Sequence, residues 1–359
     1  MNTNSLKQLQ TFGQSFWLDD IRRDLIAGGE LRRLIEEDGL RGITSNPSIF
    51  EKAIAGSHEY DQAIAAMALE GKETSEIYEA LSRQDVQSAA DLFRPLYEKT
   101  GGKDGYVSLE VNPHLARDTH GTIDEARRLW AALSRPNVFI KVPATVEGIP
   151  AIRQLISEGI NVNVTLLFGL PRYRQVVEAY IAGIEARLAQ GKAVNHVASV
   201  ASFFVSRIDV LVDSLLEKII AQGGKKSELA QQLRGQVAIA SAKAAYQIYK
   251  EMFDSARFHR VAKIGTRVQR LLWASTGTKN PDYSQIKYIE ALIGPDTVNT
   301  IPIDTLNAYR KHGAPEARLE QGVDEAYSVL VRLPAVGISL DKVAQQLEDE
   351  GVEKFNKPF

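Results

Sequence analysis

A (β/α)8 barrel of the α/β class, a TIM barrel with additional helices, is the fold this sequence predicts, on three observations. Eight short apolar or alternating runs recur along the 359 residues. Helix-period segments separate most of them, which calls for parallel pairing through crossovers. Polar and charged residues collect near the ends of these runs, where a barrel places its site on the carboxyl-end rim. At roughly 150 residues per domain the length allows two domains, yet a single barrel also reaches this size. No internal repeat, low-complexity tract or long linker divides the chain, so residues 1–359 are read as one domain.

The first run is Phe16-Trp17-Leu18, followed by Asp19 and Asp20. The second, Gly42-Ile43-Thr44-Ser45, is short and β-branched, and extra helices are expected around 61–99. Gly105 to Val111 alternates. A helix over Ile123–Ser134 carries Asp124 and Glu125 near its positive end. Val138 to Val142 is nearly all apolar, and helices are expected over Pro150–Glu158 and Pro171–Ala189. Between those two helices Ile160 to Thr165 alternates strictly, and after them His196 to Phe203 is small and apolar. Around 206–253 two long amphipathic helices, Ser206–Ala221 and Ser227–Phe253, are split by Gly223-Gly224. Gln269 to Ala274 and Thr297 to Ile301 complete the strands, and a C-terminal helix is expected around 341–353.

Composition excludes several functions. Lys and Arg total 43 against 45 Asp and Glu, a formal net charge of −2, with 44% hydrophobic and 25% charged residues. That balance excludes a polybasic nucleic-acid coat and a disordered chain. Without cysteine there is no disulfide framework and no thiolate metal site. Met1 to Thr11 is polar and lacks the apolar core of a signal peptide. No apolar run approaches the ~18 residues that span a bilayer. The expectation is a soluble, cytoplasmic protein with neither nucleic-acid nor membrane partners. The histidines His58, His114, His120, His196, His259 and His312 form no His-x-His or His-Glu-x-x-His motif, and no Walker or G-x-G-x-x-G sequence occurs. No metal and no cofactor is expected.

Lys141 is a charge in an apolar strand, Asn137-Val138-Phe139-Ile140-Lys141-Val142-Pro143. Side chains alternate along a strand, so Val138, Ile140 and Val142 face the helices while Phe139 and Lys141 face the barrel axis. Burial disfavours the ammonium and lowers its pKa, and a neutral amine attacks carbonyls. A stem that packs while its head reaches the rim, or a pairing with a buried carboxylate, are the alternatives.

Asn161, Asn163 and Thr165 alternate with Val162, Val164 and Leu166, so the polar set points inward. Asn161 is read as part of a satisfied internal network, whereas Asn163 and Thr165 lie nearer the rim. Asp19, Asp20 and Glu110 end strands and offer acid–base chemistry or ion pairing. Asn46, before Pro47, is a turn former or a holder of a substrate hydroxyl. Ala274-Ser275-Thr276-Gly277-Thr278-Lys279-Asn280 follows the seventh strand, where barrels often bind phosphate. Arg207 is a second cation at that mouth, with Arg267 and Arg270, which precede or lie within strand seven, as further candidates.

Two long segments in order, Gly42-Ile43-Thr44-Ser45-Asn46-Pro47-Ser48-Ile49-Phe50 and Val138-Phe139-Ile140-Lys141-Val142-Pro143-Ala144-Thr145-Val146-Glu147-Gly148-Ile149, resemble the two transaldolase signatures. Asn163 to Phe168 and Ser202 to Arg207 are similar to further family segments. The resemblance implies a class I aldolase-type barrel that forms a Schiff base, moving a dihydroxyacetone unit from sedoheptulose 7-phosphate to glyceraldehyde 3-phosphate in the pentose phosphate pathway. It implies Lys141 as the imine former and Asp19 as general acid/base, with Asp20 the adjacent alternative. Glu110 and Thr165 would position a catalytic water. Asn46 and Asn163 would hold the dihydroxyacetone hydroxyls, assisted by Ser202, and Arg207 would bind phosphate. Many members carry an arginine after strand seven where this chain has Lys279, and lysine lacks the bidentate guanidinium. Ser275 and the Gly277 backbone would share that load. Relatives that act as simple fructose 6-phosphate aldolases tend to have Gln at the Glu110 position and Tyr at the Phe204 position. Glu110 and Phe204 here resemble the transferases. The implied partners are sugar phosphates, on a monomer or homodimer. A barrel that only binds a sugar phosphate or a protein partner is the rival of a different class, and it predicts no reducible adduct.

Overall fold

The structure, a computed structural model, describes residues 4–357. Its strands are β1 (Ser15–Leu18), β2 (Gly42–Ile43), β3 (Tyr106–Glu110), β4 (Val138–Pro143), β5 (Val162–Leu167), β6 (Ser199–Phe204), β7 (Arg270–Ala274) and β8 (Thr297–Ile301). They close into a barrel in chain order, every neighbour parallel, as the alternation of strands and helices predicts.

Departures from expectation have local causes. Strand β2 stops at Ile43, and side-chain contacts hold the two residues beyond it. The Thr44 hydroxyl donates to Asp19 Oδ1 at 2.7 Å and Ser45 Oγ donates to the Ser108 carbonyl at 2.6 Å. Gly42 must lack a side chain, since a Cβ there would lie 2.7 Å from the Trp17 ring. In β5 the register shifts between Val164 and Leu167, and Leu166 has φ 54°, a bulge that takes Leu166 out of the simple alternation. The segment expected as one helix over Ser227–Phe253 is two, Lys225–Leu233 and Val237–Phe253. Gly235 turns between them at φ 71°, its N–H held by Asp213 Oδ1 at 2.8 Å, and Asp209 Oδ1 accepts from Ala238 N at 2.7 Å.

Side chains fill the barrel interior in layers. At the amino-terminal end Phe139 stacks on Tyr106 with ring centroids 4.3 Å apart and on Trp17 at 6.1 Å. Arg270 lies in the same layer, 3.1 Å from Asp104 and 2.7 Å from Ser15 Oγ. Arg267 donates to the carbonyls of Gly101 and Gly102. Both arginines therefore belong to the end opposite the rim. Asn161 makes the internal network expected of it, donating to the Pro136 and Val138 carbonyls and accepting from Ala198 N.

The C-terminal helix runs over Leu340–Asn356 and crosses the carboxyl-end rim. It packs on β5, on the helix Pro47–Ala55 and on the helix Ser206–Gln222. Arg117 pairs with Asp349 at 2.5 Å and Arg172 lies 3.5 Å from the buried Glu348. Among the described residues no helix is long and apolar enough to cross a membrane.

Candidate active site

Strand register decides which side chains meet. Glu110 is the β3 partner of Lys141, and Asn163 is its β5 partner, so the three share the inner face of adjacent strands. Lys141 is 5% exposed, and its Nζ donates to the Ser45 carbonyl at 2.8 Å. Glu110 Oε2 lies 3.3 Å from Nζ, an ion-pair contact rather than an aligned hydrogen bond, and neither Glu110 oxygen has a hydrogen-bond partner among the described residues. The alternative of a lysine paired to a buried carboxylate is thus realised. It coexists with an open approach to the amine, because Lys141 lines a cavity of about 260 Å³ at the rim.

Asp19 lines the same cavity, two residues beyond the inward-facing Trp17. Thr44 Oγ1 fixes its carboxylate and in turn lies 2.6 Å from Thr300 Oγ1. Burial pushes the Asp19 carboxyl above the ordinary carboxylate range, against the Thr44 hydrogen bond and the positive charges of Lys141, Lys279 and Arg207. Burial likewise raises Glu110, with Lys141 opposing. Asp20 has the other parity: it pairs with Arg22 at 3.1 Å, away from the cavity. Strand alternation thus separates the two adjacent aspartates that the family resemblance left as alternatives.

The other expected residues fall in two shells. Asn46, Thr165, Ser202, Phe204, Arg207, Ser275 and Lys279 line the cavity. Asn46 also caps the helix Pro47–Ala55, its Oδ1 accepting from Ile49 N at 3.1 Å, so it both turns the chain and faces the site. The Thr165 hydroxyl is buried without a hydrogen-bond partner among the described residues. Asn163 stands behind Ser202, accepting its hydroxyl at 2.7 Å and donating to Ser108 Oγ at 3.1 Å. Ser275 has φ 55° and sits 3.1 Å from Ser206 Oγ. The Phe204 ring lies 5.1 Å from that of Phe168 and 5.4 Å from the Arg207 guanidinium.

Arg207 makes no ion pair among the described residues, and its Nη1 is buried without a partner. Burial lowers its pKa from the usual guanidinium value. A half-buried cation without its own carboxylate is costly unless an anion arrives. Lys279 joins it from the loop after β7 and Lys52 from the helix Pro47–Ala55. The sequence did not single out Lys52, Thr44, Thr300 or Phe355, all of which line the cavity. Thr44 lies within the first long segment and Lys52 two residues beyond it, whereas Phe355 had no such signal. No group of three or more His, Asp or Glu side chains among the described residues is placed to hold a metal ion.

The arrangement joins an amine beside a buried carboxylate, a second carboxylate across the cavity, and unpaired cations. It suits covalent carbonyl chemistry on an anionic substrate. Residues 16–359 match the family described as transaldolase/fructose-6-phosphate aldolase. The chain is 48% identical over 364 residues to transaldolase 2 of Nostoc sp. (strain PCC 7120), covering 100% of this chain and 96% of that relative. It is 48% identical to the transaldolase of Trichodesmium erythraeum, with the same coverage. It is also 48% identical to that of Thiobacillus denitrificans, over 99% of this chain and 98% of the relative.

Proposed function

The chain belongs to the transaldolase/fructose-6-phosphate aldolase family and acts as a transaldolase, and we propose that it does so through an imine on Lys141. The reaction moves a dihydroxyacetone unit from sedoheptulose 7-phosphate to glyceraldehyde 3-phosphate, giving erythrose 4-phosphate and fructose 6-phosphate. One observation supports the mechanism above others: the Lys141 amine, 3.3 Å from Glu110, opens on a cavity that also holds Asp19 and the unpaired Arg207.

Glu110 takes the ammonium proton, and the neutral amine attacks the donor's ketone carbon. The carbinolamine loses water, assisted by the water that Glu110 and Thr165 hold between them. This role accounts for the three buried oxygens of these residues that lack hydrogen-bond partners. Asp19 then removes the proton from the C4 hydroxyl, the C3–C4 bond breaks, and its electrons pass to the iminium to form an enamine. Erythrose 4-phosphate departs. The enamine carbon attacks the acceptor aldehyde, Asp19 returns the proton, and water releases the new ketose from Lys141. Splitting the transfer into two steps is the gain of covalent catalysis.

Asn46 and Ser202 hold the dihydroxyacetone hydroxyls, with Asn163 orienting Ser202. Arg207 binds the phosphate, joined by Lys279 and Ser275. Phe204 packs beside Arg207 and keeps that wall apolar. We read the enzyme as a monomer or a homodimer. We take 1–359 as one functional domain and place the enzyme in the cytoplasm, the compartment its cysteine-free sequence permits.

The decisive assay couples glyceraldehyde 3-phosphate consumption to fructose 6-phosphate formation from sedoheptulose 7-phosphate. Fructose 6-phosphate should appear only when both substrates are present. Formation from the donor alone, or none at all, contradicts transfer. Arg207→Ala should raise KM for the phosphorylated donor about 30- to 150-fold, with a smaller change in kcat, as expected for losing ~2–3 kcal/mol of charge-assisted hydrogen bonding. An unchanged KM would remove Arg207 from the phosphate site.

A further inference from the structure

We infer that Phe355, carried by the C-terminal helix, shields the fragment held on Lys141 from water and so keeps the enzyme transferring that fragment rather than releasing it as free dihydroxyacetone. This rests on the Lys141 imine proposed above. Phe355 is 3% exposed, lines the cavity, and has its ring centroid 6.0 Å from Lys141 Nζ. It is far from both long signature segments in the chain and reaches the site only because the helix Leu340–Asn356 crosses the rim.

The helix is built to hold that ring in place. Gly351, one turn before Phe355, lies against Leu166, and a Cβ at Gly351 would come within 2.9 Å of Leu166 Cδ2. Leu166 is the residue that the β5 bulge takes out of alternation, immediately after Thr165. The bulge therefore brings together the helix that carries the ring and the strand that carries the catalytic-water hydroxyl.

The chemistry gives the ring a task. Between the two half-reactions the three-carbon fragment is an enamine on Lys141. Its loss needs a proton on the carbon that broke its bond, then water adding at the imine carbon, then expulsion of the lysine amine. The net step consumes one water and yields free dihydroxyacetone and the amine. Water held by Glu110 and Thr165 serves imine formation and product release. Water on the Phe355 side would only supply the enamine carbon with a proton. Truncating the ring opens on the order of ~100 Å³ beside polar groups, room for about three waters at ~30 Å³ each.

The test compares the wild type with Phe355→Ala and Phe355→Leu. Dihydroxyacetone release from fructose 6-phosphate without acceptor is measured against transfer with erythrose 4-phosphate present. Phe355→Ala should raise the release-to-transfer ratio about tenfold and Phe355→Leu by less, the leucine keeping most of the packing. Borohydride with fructose 6-phosphate should give the Lys141 adduct in all three proteins. If the adduct forms and the ratio is unchanged in both variants, or both rates fall together, the inference about Phe355 is overturned. If the wild type gives no adduct on Lys141, the underlying imine reading fails instead.

Discussion

Lys141→Met is expected to lose turnover by about 10⁴-fold or more, the scale on which enzymes lose rate when a covalent nucleophile is removed. Methionine keeps the length of the buried stem, so packing against the barrel is largely preserved. It cannot form an imine, and mass spectrometry after borohydride treatment with fructose 6-phosphate should find no added mass on the chain. The substitution also leaves Glu110 buried without its partner, a situation that strongly favours the neutral acid. Burial already raises Glu110, and removing the lysine charge removes the influence that opposed it. With its folded-state pKa above the unfolded one, the variant binds an extra proton when folded, so its stability should fall as pH rises through that raised pKa. Wild-type rates or an adduct in Lys141→Met would move the chemistry elsewhere.

Asp19→Asn should separate catalysis from stability. The amide keeps the shape that meets Thr44 but cannot take the C4 hydroxyl proton, so carbon–carbon cleavage should slow by about 10²- to 10⁴-fold. Imine formation should be affected less, and a borohydride adduct should still form. In the parent, burial raises the Asp19 pKa, so the acid limb of kcat/KM should lie above the pH of an ordinary carboxylate. The stability effect has the opposite sign to the activity effect. A carboxyl whose pKa rises on folding destabilises the fold at pH values above that raised pKa, where it must be charged, and the cost is relieved as pH falls through it. Asp19→Asn should therefore melt above the parent at pH 8, with the gap closing as pH falls through the raised folded-state pKa toward the unfolded value of about 3.9, below which the parent's carboxyl is protonated in both states. A lower Tm at pH 8 would show that the Asp19 charge is more than compensated in the fold. Normal cleavage would return the acid–base role to another group.

Much of this site was legible in the sequence because strands obey a period of two. Lys141 among Val138, Ile140 and Val142 could only face inward, and the register then brought Glu110 and Asn163 beside it. The same parity, counted from Trp17, distinguishes Asp19 from Asp20. Local rules failed where distant contacts decide. The bulge at Leu166 is not written in Val162-Asn163-Val164-Thr165-Leu166-Leu167, a run that alternates as an unbroken strand would until its last residue. The break at Gly235 was hidden in an amphipathic stretch that Asp209 and Asp213 terminate from another helix. Phe355 was invisible for a similar reason. Amphipathic periodicity shows that the C-terminal helix buries a face, but nothing near residue 355 says that the buried face covers the rim.

The stack of Trp17, Tyr106 and Phe139 has a kinetic corollary. It fills the floor of the barrel, with the cavity beside Lys141 on its carboxyl-end side. With the fragment held on Lys141, the departing aldose phosphate must leave that cavity before the incoming one occupies it. Steady-state rates should accordingly trace parallel lines in double-reciprocal plots, and erythrose 4-phosphate should rival glyceraldehyde 3-phosphate for the loaded enzyme.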